Sequence, residues 1–217
     1  TAIQFSNVTF TNGGTKTLTS GSFSIATDGV LNMGSSTTLN ANGNLTILSS
    51  VSGSGRVAAI PSGAAITGNV TVQRFVTGGA QNPYRTYRMF SSPVYDNGNP
   101  SNRTYSLNQF IDDIIVTGPG GATNGFDVNA ANSASAFTFN AGFVAVPSVS
   151  TPIKVGTGVE VFYRGDRSNI SGKVTSPYVD PESTVIDFIG ELNQQDVTVP
   201  LNNGFNLSGN PYASSID

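Results

Sequence analysis

The fold of this chain is decided by three short segments that share one pattern, Phe23-Ser24-Ile25, Leu45-Thr46-Ile47 and Val70-Thr71-Val72. Each alternates apolar, polar and apolar residues, which is the period of a β-strand. The second follows the first by 22 residues, and the third follows the second by 25. Such a repeat, with short strands in each unit, is typical of a β-solenoid whose coils stack their apolar side chains. The spacing predicts a short parallel β-helix over residues 1–76.

A meander of hairpins is the competing interpretation of the same residues. Asn12-Gly13 and Asn42-Gly43 both suit the tight turns of β-hairpins. The strand-like pieces are only three to five residues long, however, and isolated hairpins of that length are barely stable. The pattern therefore favours stacked coils.

A change in pattern follows Thr77-Gly78-Gly79-Ala80, and we predict a linker at residues 77–83. In residues 84–217 the strand-like segments lengthen and aromatic residues cluster. Turn signals between short strands are typical of an antiparallel β-sandwich or jelly roll. The predicted strands of this part include Ser106–Phe110, Asn169–Thr175 and Gln195–Leu201. The predicted fold class is all-β, a short solenoid followed by a sandwich.

Composition excludes several classes of function. The chain has no Cys, His or Trp, so Ser-His-Asp catalysis, thiol chemistry and His-ligated metals are excluded. With Lys+Arg 10 against Asp+Glu 13, it has no basic footprint for nucleic acid. No apolar run is long enough to span a bilayer. We expect no nucleic-acid partner, no membrane insertion and no cofactor apart from calcium.

Calcium is the metal that the sequence could hold. Asp96-Asn97-Gly98-Asn99 places side-chain oxygens of Asp96, Asn97 and Asn99 in one turn, and calcium prefers oxygen ligands from such loops. No EF-hand spacing accompanies them. The alternative is a plain turn in which the Asp and Asn side chains bond their own backbone.

Other candidate sites have ordinary structural explanations. Arg164-Gly165-Asp166 spells an integrin-recognition tripeptide, but a glycine-containing turn explains it as well. Asp112-Asp113 would point to opposite faces of a strand, so a catalytic carboxylate pair lacks support. Exposed tyrosines could form a sugar-binding platform, although aromatics at strand spacing usually belong to a core. The tyrosines in question are Tyr84, Tyr87, Tyr95, Tyr105 and Tyr178.

Four motifs resemble a known family. They are "GNVTVQRF" at 68–75, "YRMFSSPV" at 87–94, "RGDRS" at 164–168 and "GNPY" at 209–212. In this order they resemble large surface and adhesin-like proteins of Bacteroidota that the type IX secretion system exports. The resemblance implies a solenoid joined to a sandwich, secretion and display at the cell surface. It also implies that this chain is a processed piece of a longer one.

These observations predict a non-enzymatic, extracellular structural or adhesion protein of the bacterial surface. Expected partners are further copies of the chain in a self-assembling fibre, and glycans or host and environmental surfaces. One alternative is a glycan-binding module of a polysaccharide-degrading system. Another is a β-helix carbohydrate lyase or hydrolase, but charged residues in the solenoid are few. Those considered for that chemistry are Lys16, Asp28, Arg56 and Arg74.

Overall fold

The computed structural model of the chain describes residues 2–216, and in this part the protein is all-β. Its N-terminal part forms a β-solenoid of about three turns. The strands of the solenoid are β1 (Ala2–Phe10), β2 (Gly14–Thr17), β3 (Ser22–Met33), β4 (Thr37–Asn40), β5 (Leu45–Ile47), β6 (Ser49–Ser50), β7 (Gly53–Ser54), β8 (Arg56–Val57), β9 (Ala65–Thr67) and β10 (Asn69–Val76).

The predicted repeat is the observed register of the stack. Phe23 lies opposite Leu45 in a parallel pair, and Leu45 lies opposite Val70. Two residues further along each strand, Ile25 and Ile47 form a buried column inside the solenoid. The parallel pairing confirms the β-helix and shows that the hairpin meander is wrong.

The coils bend sharply where one face of the solenoid meets the next. The pairing of β1 with β3 is interrupted between Phe5 and Asn7, where β3 contains several extra residues. Gly29 lies in this corner, and a Cβ there would collide with the carbonyl oxygen of Ser6. Only glycine therefore allows the first two coils to approach this closely. β1 thus covers two faces of the solenoid, with its bend at Ser6.

A second parallel sheet, β2-β4-β9, closes another side of the coils. Leu39 of β4 lies opposite Ile66 of β9, and both are buried. In the first coil the same position is occupied by Lys16, which lies opposite Leu39. The Lys16 ammonium donates to the carbonyl oxygen of Gly13 at the turn.

The second part of the chain is antiparallel. Its elements are β11 (Thr86–Phe90), β12 (Val94–Tyr95), β13 (Thr104–Tyr105), β14 (Ala136–Phe139), β15 (Phe143–Ala145), β16 (Ile153–Lys154), β17 (Val159–Tyr163), the helix α1 (Ile170–Val174) and β18 (Thr184–Leu192), with 3₁₀ turns at Gly79–Gln81, Leu107–Gln109 and Gly121–Asn124. Strands β11, β17, β14 and β15 form an antiparallel sheet in that order, and β13 pairs with β16.

The two parts share a sheet. β18 pairs antiparallel with the whole of β10, so the sheet runs β1-β3-β5-β10-β18-β12. The predicted linker packs against the residues before β18, because the amide of Gly78 donates to the Ser183 hydroxyl. The predicted boundary at residues 77–83 therefore follows the end of β10. The sheet that contains β10 does not end there, because β18 and β12 of the second part extend it.

The second part also covers the other faces of the last coil. The Gln194 side chain accepts from the amide of Ile66 at 2.9 Å and donates to its carbonyl at 2.7 Å, as a neighbouring strand would. On the remaining face, the carbonyl of Ala213 accepts from the amide of Val57. The coil end that would otherwise expose unpaired backbone groups is thereby closed on its three sides.

Aromatic side chains join this sheet to the antiparallel one. The Phe110 ring packs edge-to-face against Phe90 of β11, with centroids 5.5 Å apart, and against Phe188 of β18 at 5.3 Å. Phe110 and Phe188 are fully buried. The core is therefore continuous between the solenoid sheet and the antiparallel sheet.

Some predicted strands of the second part are wrong. Residues 169–175 contain the helix α1, because Asn169 takes a left-handed conformation and its side chain accepts from the amide of Gly172, capping the helix. The segment Ser106–Phe110 contains a 3₁₀ turn, and residues 195–201 are irregular. Within residues 2–216, no helix has the length and apolar composition to cross a bilayer.

The buried junction predicts a large effect of Phe188→Ala. Removing a fully buried ring that contacts Phe110 should lower the free energy of unfolding by about 3–5 kcal/mol. Ile189→Ala is the matched control, because Ile189 is the next residue of β18 and its side chain is exposed. Urea denaturation would measure both. Equal losses in the two variants would contradict the role of Phe188 in the junction.

Candidate functional site

The antiparallel sheet has one face in the core and one face outside. On β17, Val159, Val161 and Tyr163 are buried. Since side chains alternate along a strand, Glu160 and Phe162 project from the opposite, outer face. This outer face is the candidate functional site.

The neighbouring strands add aromatic residues to the same side. Tyr87 lies opposite Phe162, and Met89 lies opposite Glu160. On the other side of β17, Phe137 also lies opposite Glu160. We call this surface the aromatic face, and it comprises Tyr87, Met89, Phe137, Phe139, Phe143, Glu160 and Phe162.

The rings of the aromatic face touch one another and remain open to solvent. Tyr87 meets Phe162 with centroids 5.1 Å apart and Phe137 at 6.1 Å, both edge-to-face. Phe139 and Phe143 make a similar contact at 5.3 Å. Tyr87 is 45% exposed and Phe143 53%. A contiguous apolar patch of this kind on a folded domain is typical of an interaction surface.

Charged groups lie within and beside these rings. The carboxylate of Glu160 stands between Met89 and Phe137, and no donor of the described part of the chain (residues 2–216 without the Gln81 side chain) hydrogen-bonds to it. The guanidinium carbon of Arg164 lies 4.8 Å from the centre of the Phe162 ring, a cation–π contact. The aromatic face therefore offers ring surfaces, a Tyr87 hydroxyl and a carboxylate acceptor to a ligand.

The Arg164-Gly165-Asp166 tripeptide is a structural turn. The Arg164 side chain is buried, and its guanidinium donates to the Thr117 hydroxyl. Burial lowers the pKa of Arg164 to about 10, with repulsion from Arg85 adding to the effect. Gly165 has φ +92°, and a Cβ there would collide with the carboxylate of Glu182. The arginine that an integrin would need to contact is therefore not accessible.

Asp166 is held by a buried lysine. The Lys173 ammonium is fully buried and lies 2.7 Å from an Asp166 carboxylate oxygen and 2.5 Å from one of Glu182. Burial by itself would raise the pKa of Asp166, but hydrogen bonds from Lys173 and Ser168 outweigh it and lower the pKa. The turn and the helix α1 are thereby fixed to each other beside the aromatic face.

The calcium candidates lie together in a turn that uses their oxygens internally. The Asn97 side-chain oxygen accepts from the amide of Thr104, and that of Asn99 accepts from the amide of Ser101. Asp96 accepts from the side chain of Gln109 at 3.0 Å. These bonds are those of an Asx-rich turn. Calcium binding at Asp96, Asn97 and Asn99 stays a prediction.

The five tyrosines considered for sugar binding divide into two groups. Tyr84, Tyr87 and Tyr178 are exposed, and the Tyr178 ring lies 3.9 Å from the guanidinium of Arg85. Tyr95 and Tyr105 are buried, and the Tyr105 hydroxyl donates to the carbonyl of Thr157. The structure thus places only Tyr87 on the aromatic face itself.

Sequence reasoning missed the phenylalanines of this face. Only tyrosines were considered for a platform, and aromatic residues at strand spacing usually belong to a core. The signal that could have identified them is the alternation of residues along the same segment. Ala136 alternates with Phe137 and Phe139, and Ala136 lies on the buried side. A strand that already has a buried face must present its alternate residues to the outside.

The acidic residues Asp112 and Asp113 lie near β18. The Asp113 carboxylate accepts from the amide of Asp187 at 2.7 Å. Burial raises the pKa of Asp113 to about 6, and the nearby charges of Asp112 and Asp187 add to the rise. Among residues 2–216, no group of three or more Asp or Glu side chains is arranged to hold a metal ion. The geometry describes a partly buried carboxylate that accepts a hydrogen bond from the backbone of β18.

Residues considered for a β-helix enzyme lie on different parts of the solenoid. Arg56 and Arg74 line a common cleft with Asn210 and the 214–215 segment. Lys16 belongs to β2 on another sheet, and Asp28 is exposed at the corner of β3. The structure therefore does not bring these four residues together.

Comparison of the chain with models of protein families, with curated proteins and with solved structures finds no match.

The raised pKa of Asp113 predicts the direction of a pH effect on stability. Because this pKa lies above its ordinary value of 3.8, the stability that Asp113 contributes is full below about pH 4 and is lost as the pH rises through 6. Asp113→Asn keeps an acceptor for Asp187 and removes the charge, so it should be more stable than the parent at pH 7.5 by about 1 kcal/mol. Thermal unfolding at pH 4, 6 and 7.5 measures this.

Asp113→Ala is the matched comparison, because it removes both the charge and the acceptor. It should be less stable than Asp113→Asn at every pH, since the Asp187 amide loses its partner. If Asp113→Asn gained nothing between pH 4 and 7.5, the raised pKa would be wrong.

Proposed function

We propose that this chain is a non-enzymatic, extracellular structural and adhesion protein of the bacterial cell surface, and that the aromatic face is its contact surface. The observation that carries the proposal is the exposure of Tyr87, Met89 and Phe143 on a sheet whose central strand, β17, buries the side chains of its other face. Covering apolar surface releases about 25 cal/mol per Å², so such a face gains free energy when it meets another surface.

The support beneath the aromatic face is buried in the core, which suits adhesion. Val159, Val161 and Tyr163 anchor the central strand in the core. The edge-to-face contacts of Tyr87 with Phe162 and Phe137 hold the rings in fixed orientations. A contact surface that is ordered before binding loses little conformational entropy on binding.

The extracellular location is proposed on the resemblance to exported Bacteroidota surface proteins and on composition. Only 11% of the residues are charged, so Ser, Thr, Asn and Gly cover much of the surface. Protease treatment of intact cells would test it. Loss of the chain from intact cells supports display outside the cell, and protection until lysis contradicts it.

A glycan-binding module is the second candidate, and one observation favours it. The Glu160 carboxylate accepts no hydrogen bond from the groups that the structure describes, although it lies among the rings. Sugar hydroxyls would supply donors to this acceptor while the rings of the face pack against the apolar side of a pyranose. The β-helix enzyme has weaker support, because Lys16, Asp28, Arg56 and Arg74 are dispersed.

The proposal predicts that truncating the aromatic face abolishes adhesion. Beads carrying the chain would be tested for retention on polystyrene, on protein-coated glass and on insoluble polysaccharides. Tyr87→Ala combined with Phe143→Ala should reduce retention about tenfold or more, because anchor residues of an interface cost about 1–2 kcal/mol each. Val51→Ala combined with Leu201→Ala is the control, since both residues are equally exposed and lie off the face.

Glu160→Gln separates the two candidates. Retention only on polysaccharide that is lost in Glu160→Gln supports the glycan-binding module. Retention on apolar or protein surfaces that survives Glu160→Gln supports the adhesion protein. Absence of retention on all surfaces, or equal losses in the control pair, would overturn the aromatic face as a contact surface.

A further inference from the structure

The two ends of the solenoid differ. The last coil is covered by β18, by the Gln194 side chain and by Ala213. At the first coil, the outer edges of β1 and β2 have no partner among residues 2–216. We call these two edges the open end. An unpaired edge presents a row of amide and carbonyl groups that another strand can bind.

Of the two edges, β2 carries an inward-pointing charge, Lys16, whereas β1 carries none. β1 is nine residues long and contains no charged residue and no proline. Its inward side chains lie opposite the interior column of the second coil. Ile3 is 40% exposed, and the other three are only partly buried. The inward side chains are Ile3, Phe5, Val8 and Phe10.

The inward side chains of β1 are arranged symmetrically about its bend. Ile3 and Phe5 precede the corner at Ser6, and Val8 and Phe10 follow it. An antiparallel β1 from a second copy, related by a two-fold axis at Ser6-Asn7, would pair Ile3 with the partner's Phe10 and Phe5 with the partner's Val8. Every inward apolar residue would then meet another inward apolar residue.

The bend agrees with the same symmetry. Residues before Ser6 belong to one face of the solenoid, and residues after it belong to the next. A two-fold axis through this corner exchanges the two faces of the solenoid. The sheet on the first face of one copy would then continue as the sheet on the second face of the other copy. The second solenoid would stand on the first, inverted.

We propose that two copies of this chain associate end to end through antiparallel pairing of their β1 strands. The contact is isologous, so it closes with two copies and does not propagate. A head-to-tail fibre through the solenoid would need a free strand at the last coil, and β18 occupies that strand. Self-association through β1 therefore stops at a dimer. This contact does not involve the aromatic face.

Lys16 sets the strength of this contact. It is the only charged residue among the first 27 and occupies an inward position opposite Leu39. Its ammonium donates to the carbonyl oxygen of Gly13 at the turn, which places the charge at the open end. Two such charges approach each other when two open ends meet. Association should therefore be weak at low salt and tighten as salt screens the repulsion.

Sedimentation velocity of the 217-residue chain tests the proposal. Between about 1 and 500 µM we expect a shift from a species of 22.4 kDa to one of twice that mass, because a contact built on one strand from each copy is small. Lys16→Leu should lower the dissociation constant about tenfold or more, since it removes the charge and adds apolar surface.

Ile3→Lys should abolish the dimer, because it places a charge against the partner's Phe10. Gln4→Lys adds the same charge at the next, outward-facing residue and should leave association unchanged. Circular dichroism would verify that both variants are folded.

The register has its own test, because the chain contains no cysteine. The proposed axis places Gln4 opposite the partner's Thr9. Oxidising a mixture of Gln4→Cys chains and Thr9→Cys chains should give a cross-linked dimer, and either variant alone should give little. Monomers at all concentrations in both the parent and Lys16→Leu, or growth beyond two copies through β1, would overturn the proposal.

Discussion

The structure depends on the closure of the last solenoid coil by residues from the far end of the chain. A β-solenoid ends in backbone amides and carbonyls that have no next coil to bind, and their burial without partners would be costly. Here β18 supplies a full strand to β10, and Gln194 supplies a single amide group to Ile66. The antiparallel part of the molecule is thus the cap of the solenoid as well as a structure in its own right.

This closure explains why one aromatic core serves both parts. Because β18 belongs to the solenoid sheet, its inward residue Phe188 lies beneath the last coil and also faces the second sheet. Phe110 fills the space between the sheets and contacts Phe90 on the other side. On the inner face of this second sheet Val159, Val161 and Tyr163 are buried, and the aromatic residues of opposite register are left on the outside.

The sequence predicts those features of the fold that depend on the periodic spacing of apolar residues along the chain. The coil length follows from the spacing of Phe23, Leu45 and Val70, because stacking forces equivalent apolar residues into one column. The helix α1 was missed since Ile170 and Val174 satisfy a strand pattern, and only the Asn169 cap distinguishes it. The closure by β18 and the exposed side of Phe137 could not be predicted, because both depend on which distant strands meet.

The position of β18 also affects the order in which the molecule can form. The amide of Gly78 and the hydroxyl of Ser183 are neighbours in space but 105 residues apart in the chain. The coils need only local contacts and can form as the N-terminal part emerges during synthesis, whereas pairing over such a separation is slow. Until residue 192 is available, β10 remains an exposed edge that can bind the wrong strand. The newly made chain is therefore most vulnerable to aggregation between completion of its coils and arrival of its cap.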